Sequence, residues 1–112
     1  MRSTLPKGID RRELIVELAR RLAEHPAVER VWLFGSRARG DNFERSDIDL
    51  AIDAPTMDRY DWLKLSLDFE EDAPTLLCID LVRMEETPEH LREQIHDQGI
   101  VVHERSRAAA TV

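Results

Sequence analysis

Apolar residues recur with helical period from Leu14 onward: Leu14, Leu18 and Leu22, with Ile15 beside them, make one stripe. Asp10 followed three residues later by Glu13 fits a capping box for that helix. Pro26 predicts its end near Glu24, because the residue before a proline is pushed out of helical geometry. Val28 to Phe34 then reads as a strand, with Val31 and Leu33 on one face and Trp32 and Phe34 on the other. Gly35 and Ser36 break it, a short polar segment runs to Gly40, and residues 41–46 read as a loop. Asp47 to Ile52 alternates, Asp47 and Asp49 on one face against Ile48, Leu50 and Ile52 on the other. Pro55 and Thr56 open a helix from about Met57 to Glu71, with Met57, Tyr60, Leu63 and Leu67 along one side. Leu76 to Val82 is a third strand, interrupted by Asp80. Thr87 and Pro88 suit a cap and first helical residue, Leu91 and Ile95 point inward, and Gly99 closes that helix. Ile100 to His103 is a short last strand. Without internal repeats, this order predicts an α/β two-layer sandwich with a mixed β-sheet.

The length of 112 residues predicts a single domain, 1–112, with its core over about 9–104 and a tail over about 105–112 that has little to bury. Sixteen basic against 23 acidic residues give a formal charge of −7. That balance argues against direct nucleic-acid binding, which normally shows a basic patch. It leaves open a nucleotide substrate brought to an acidic site by a metal. No apolar run approaches the ~18–20 residues of a membrane span, and MRSTLPKGIDRR has no apolar segment after its charges, as a signal peptide would. One cysteine forms no internal disulfide and no zinc pattern. The expectation is a soluble cytoplasmic domain.

The chemistry concentrates in the acids. A strand places the Cβ atoms of Asp47 and Asp49 on one side, roughly 6.5–7 Å apart. Two such carboxylates in an apolar strand repel each other and resist desolvation, and a divalent cation removes the difficulty. Magnesium takes carboxylate oxygens and keeps positions open for water and phosphate. Asp80, an acid in an otherwise apolar strand, is the third candidate ligand; pairing of the two strands in suitable register would bring all three together and allow two ions. Taken singly, Asp47 could cap a turn and Asp80 could end a strand. Gly35 and Ser36 follow an apolar strand directly, so the backbone can approach a ligand closely and the next amides can point at a phosphate, although a Gly-Ser pair alone is more often a plain turn. There is no Walker A lysine in Gly35 to Gly40. Arg37 and Arg39 suit phosphate, an acidic partner surface or solvent equally well, and with Met57 to Trp62 they lie nearest in sequence for docking an acceptor. His25, His90, His96 and His103 show no metal-ligand spacing, with His90 and His96 expected exposed on a helix. Cys78 reads as a small buried hydrophobe and Trp32 as core, while Trp62 and Tyr60 could mark a partner surface.

Gly35-Ser36-Arg37-Ala38-Arg39-Gly40, then five residues, then Ser46-Asp47-Ile48-Asp49-Leu50 resembles the signature of the nucleotidyltransferase superfamily with DNA polymerase beta-like palms. The match is dense over residues 31–50 and continues more loosely through Ile79 to Val82 and Gly99 to His103. In length the chain is similar to the minimal nucleotidyltransferase (MNT) branch, the antitoxins of HEPN/MNT toxin–antitoxin pairs. The resemblance implies a polymerase-beta-like palm in which Gly35, Ser36, Arg37 and Ser46 contact the nucleotide. It implies that Asp47, Asp49 and Asp80 are the catalytic, metal-binding acids, with two Mg2+ ions and ATP as substrate. It further implies transfer of AMP to a tyrosine hydroxyl of a cognate HEPN ribonuclease toxin, an oligomer with that toxin being possible. The same core would serve a small-molecule or nucleic-acid-end acceptor, and a non-catalytic protein could neutralise a toxin by occlusion alone. A chain of this size has no room for both a palm and a helical acceptor domain, which favours an acceptor carried by a partner.

Overall fold

The structure, a computed structural model, describes residues 8–105. The elements are α1 (Arg12–Leu22), β1 (Arg30–Phe34), a one-turn α2 (Ser36–Arg39), β2 (Ile48–Asp53), α3 (Arg59–Asp72), β3 (Ile79–Arg83), a 3-10 turn (Met84–Glu86), α4 (Glu89–Gln98) and β4 (Ile100–Glu104). They form a mixed four-stranded sheet in the order β3-β2-β1-β4. Strand β1 is antiparallel to both β2 and β4, whereas β2 and β3 run parallel. A parallel pair needs a crossover, and α3 supplies it.

Alternation along the strands builds the expected α/β fold with a mixed sheet, and helices cover both of its faces. Val31, Leu33, Ile48, Leu50 and Ile52 are fully buried against the Ile15, Leu18 and Leu22 stripe of α1 and against α3. The opposite face carries Trp32, Phe34, Ala51 and Val82, where Ile95 of α4 and Met84 of the 3-10 turn close a smaller cluster. The segment 106–112, most of the expected tail, lies outside the described residues. Among the described residues no helix is long and apolar enough to cross a membrane.

Several local expectations are corrected. Asp10 does not cap α1: Arg11 holds the cap position at φ 59° with no side-chain cap, and Asp10 instead pairs with Arg37 at 3.0 Å. Helix α3 starts later than Met57 because Asp58 caps it, accepting from the Asp61 amide at 2.7 Å. Its buried face is Trp62 and Phe69, while Tyr60, Leu63 and Leu67 are 70%, 47% and 65% exposed. Both stripes have helical spacing; the one with the two largest aromatic surfaces occupies the core because it removes more area from water. Strand β3 starts at Ile79, so Cys78 and Leu76 precede the strand and are exposed. Finally, Thr87 leaves the cap to Pro88, and its hydroxyl donates to the Arg83 carbonyl at 2.7 Å.

Arg83 anchors the end of β3. Its buried guanidinium donates to the Ala54 carbonyl at 2.7 Å and to the Met57 carbonyl, and it pairs with Glu85 and Glu86 at 3.4 and 3.3 Å.

The orientation of α3 is directly testable by denaturant unfolding. Trp62→Ala is expected to cost roughly 3–5 kcal/mol, as for other buried aromatics, and Leu67→Ser to stay within about 0.5 kcal/mol of the parent. The reverse ranking would place Tyr60, Leu63 and Leu67 in the core after all.

Candidate active site

The strand register creates the site. Phe34 pairs with Asp49 across the antiparallel ladder, and Asp49 pairs with Asp80 across the parallel one. Paired residues share a face, so Phe34, Asp49 and Asp80 form a row across three strands, spaced about 4.8 Å per strand. Asp47, two residues before Asp49, stands just ahead of β2. Asp47 and Asp80 are exposed, whereas Asp49 is half-buried. Burial, and then the charges of Asp80 and Asp47, push the Asp49 carboxyl up to about 6, against the smaller opposing pull of Arg39 and Arg37.

Gly35 ends the same row from the side of β1. It adopts φ 74° and ψ −154°, a conformation open to glycine, and a Cβ there would collide with the Asp49 carboxylate. The turn of α2 then starts at Ser36 and ends where Gly40, at φ 85°, donates to the Ser36 carbonyl at 2.9 Å. The Ser36 hydroxyl has no partner among the described residues and is half-buried beside this turn.

Arg37 and Ser46 are placed differently from Ser36. The Arg37 side chain is wholly buried. It donates to the Ser46 carbonyl at 3.2 and 2.8 Å and to the Glu44 carbonyl at 2.9 Å, in addition to its pair with Asp10. The expectation of a phosphate- or partner-facing Arg37 is therefore corrected: its donors are turned into the 41–46 loop, and they hold the segment that delivers Asp47. Ser46 serves the same loop, its hydroxyl accepting from the Phe43 amide at 2.8 Å. Arg39 is partly exposed and pairs with Asp41 at 3.1 Å. Trp62 is buried, so of the two aromatics expected at a partner surface only Tyr60 is presented. His90 and His96 are exposed on α4 as expected, and His96 lies against Trp32 with ring centroids 5.2 Å apart.

Two concavities flank the acids. One of about 650 Å³ lies beside Asp47, with Arg11, Arg45, Leu76 and Cys78 among its walls. The other, about 150 Å³, opens between the end of β1 and α4 and includes Gly35. Neither is legible in the sequence, because both depend on which elements meet.

The donor set suits a hard divalent cation. Three carboxylates share one end of the sheet, and the half-buried one is visibly strained by its neighbours' charge, the condition a cation relieves. Among the described residues no three His, Cys, Asp or Glu side chains are gathered into a closed ligand set.

Comparison with known proteins gives the family and the fold. The family model described as polymerase beta, nucleotidyltransferase matches residues 17–108. A solved minimal nucleotidyltransferase is 26% identical, covering 85% of this chain and 98% of its own, with a TM-score of 0.61. A toxin–antitoxin structure with AMP-PNP is 24% identical over 90% of this chain and 79% of that one, TM-score 0.63. A structure of tri-AMPylated Shewanella oneidensis HEPN toxin in complex with MNT antitoxin is 23% identical over 89% and 75%, TM-score 0.56. The last two likenesses speak to the fold alone. No match was found among curated proteins. The family match takes in the Gly-Ser turn and all three acids, and the chain belongs to the polymerase beta nucleotidyltransferase family.

Proposed function

We propose that this protein is a magnesium-dependent adenylyltransferase that transfers AMP from ATP to a tyrosine hydroxyl of a HEPN toxin partner, acting as its antitoxin. The observation that carries the reading is the row from Gly35 through Asp49 to Asp80, with Asp47 beside it, at one end of a polymerase-beta palm. The acceptor class is taken from what two relatives are described with, AMP-PNP in one and an AMPylated HEPN toxin in the other, and it supports the reading.

Asp47, Asp49 and Asp80 would hold magnesium, which when bound neutralises charge developing on phosphate oxygens. The remaining work falls to the chain. Ser36 and the amides opening α2 donate to the triphosphate, and Gly35 lets it come close without a side chain in the way. Asp80, exposed on the edge strand, is open to an arriving acceptor and can take the proton of its hydroxyl. The acceptor oxygen bonds to the α-phosphorus as the bond to the β-phosphate bridge breaks, and pyrophosphate leaves. Arg37 and Ser46 act indirectly, by fixing the loop before Asp47.

Co-expression with a HEPN partner, followed by intact mass of that partner, tests the reading. A gain of AMP units is expected. A tightly bound but unmodified partner would instead establish occlusion without chemistry, and absence of any association would redirect the search to small-molecule or nucleic-acid acceptors. In the same assay Asp47→Asn with Asp49→Asn is expected to abolish transfer while the circular dichroism spectrum is retained. Ser36→Ala should lower kcat/KM for ATP by a factor matching roughly 1.5–3 kcal/mol, the usual worth of a hydrogen bond to a charged group, with an unchanged melt; full activity would reduce Gly35-Ser36 to a turn.

Asp49 also yields a pH prediction. Its carboxyl binds a proton more tightly in the folded protein, so folding without metal weakens as pH rises from the ordinary value of 3.8 through about 6. Asp49→Asn removes this penalty. Its gain in Tm over the parent should be absent at the acid end of that window, grow across it and level off above. A gain independent of pH would mean that burial and its neighbours' charge do not raise the Asp49 carboxyl.

A further inference from the structure

The cleft between β1 and α4 is not used by the acids or by the Gly-Ser turn, yet it adjoins both. Gly35 is a shared wall: one side of it meets the Asp49 carboxylate and another lines the cleft. Phe34, the register partner of Asp49, forms the floor with Leu91 and Ile95. Above this apolar floor stand Gln94 and Gln98, four residues apart and therefore on one face of α4. Both glutamines are exposed, and neither carboxamide has a hydrogen-bond partner among the described residues. Its one charged wall residue, Arg39, is already paired with Asp41 at 3.1 Å, so an apolar floor with two unengaged carboxamides on its rim is a poor place for phosphate. It suits a flat heteroaromatic ring that needs stacking on its face and paired donor and acceptor groups along its edge.

We propose that this cleft is the nucleobase subsite and that Gln94 and Gln98 make it prefer adenine. The proposal rests on the nucleotidyltransferase reading above and adds to it the residues that select the base. Adenine presents an amino donor next to a ring nitrogen acceptor, the pattern that one glutamine carboxamide matches with both of its groups. Guanine offers two acceptors at the same edge, so the carbonyl of that carboxamide is left without a donor. Cytosine and uracil offer a smaller ring face to Phe34 and Leu91. Phosphates lying at the acids keep the base within reach, because the cleft and the acid row open at the same end of β1. Arg39, also on the cleft wall and already paired with Asp41, stands on the side nearer the phosphates.

Calorimetric titration of the full chain with magnesium and ATP, GTP, CTP, UTP or inorganic tripolyphosphate tests this. The parent should bind ATP most tightly. Gln94→Ala with Gln98→Ala should raise the Kd for ATP by about tenfold, the loss expected for two neutral hydrogen bonds, and bring it level with CTP and UTP. Tripolyphosphate, which has no base, should bind the double variant as it binds the parent, and the melt should be unchanged. An unaltered Kd for ATP in the double variant would overturn the subsite, as would equal loss of ATP and tripolyphosphate. If Ser36→Ala weakens tripolyphosphate while the glutamine variant leaves ATP untouched, the subsite fails and the wider reading stands. If the parent binds neither nucleotide nor tripolyphosphate, the wider reading fails and the subsite with it.

Discussion

Like charges brought to one end of a sheet drift apart unless something of greater worth holds the strands in register, and here that is burial on the opposite face. Ile48, Leu50 and Ile52 are fully buried, and their parity dictates the parity of Asp47 and Asp49. A slip of one residue would turn three aliphatic side chains outward and put carboxylates into the core. At about 1.5–3 kcal/mol per large aliphatic side chain, that exchange outweighs the repulsion between half-solvated acids. The row of Asp49 and Asp80 is thus a by-product of hydrophobic alternation on strands whose register runs unbroken from Ile48↔Ile79 to Ile52↔Arg83. Arg83 reinforces it at the far end by tying β3 to the link between β2 and α3.

The loop before Asp47 needs a different device, because it has no ladder of its own. Arg37 provides it. A guanidinium with fixed donor geometry can satisfy several backbone carbonyls at once, and Ser46 and Glu44 are held in this way. The pair with Asp10 is partly solvated on the carboxylate side and contributes little by itself. The carbonyl bonds matter more, since the arginine is buried and its donors would otherwise be stranded.

This division explains how much was legible in the sequence. The strands and their faces follow from period-two alternation, a strong local signal, whereas the meeting of Asp49 and Asp80 depended on a pairing register that only the fold supplies. The glycine at 35 was legible as a point of close approach, though its neighbour there, the Asp49 carboxylate, became evident only in the fold. What sequence could not decide was any choice between two locally equivalent options. Helix α3 carries two apolar stripes, and only competition for core volume selects Trp62 and Phe69 over Tyr60, Leu63 and Leu67. Asp10 could cap α1 or answer Arg37, and tertiary pairing took it. Arg37 sits inside the signature turn, where an arginine invites a phosphate reading; carbonyl partners seven and nine residues away leave no trace in side-chain identity.

The half-burial of Asp49 has a further consequence for how the site must work. A lone, fully exposed carboxylate would be well hydrated and hold a cation only weakly, and one sealed in the core would stay protonated. Asp49 lies between these limits, with its carboxyl pushed up to about 6 by burial and by Asp80 and Asp47. A cation that relieves this repulsion binds the folded chain in preference to the unfolded one, and so stabilises it by mass action. A cation held there would couple occupancy to stability through this one side chain. The same proximity forbids a side chain at residue 35, so the backbone turn at Gly35 and the Asp49 carboxylate are set together by a single contact between β1 and β2.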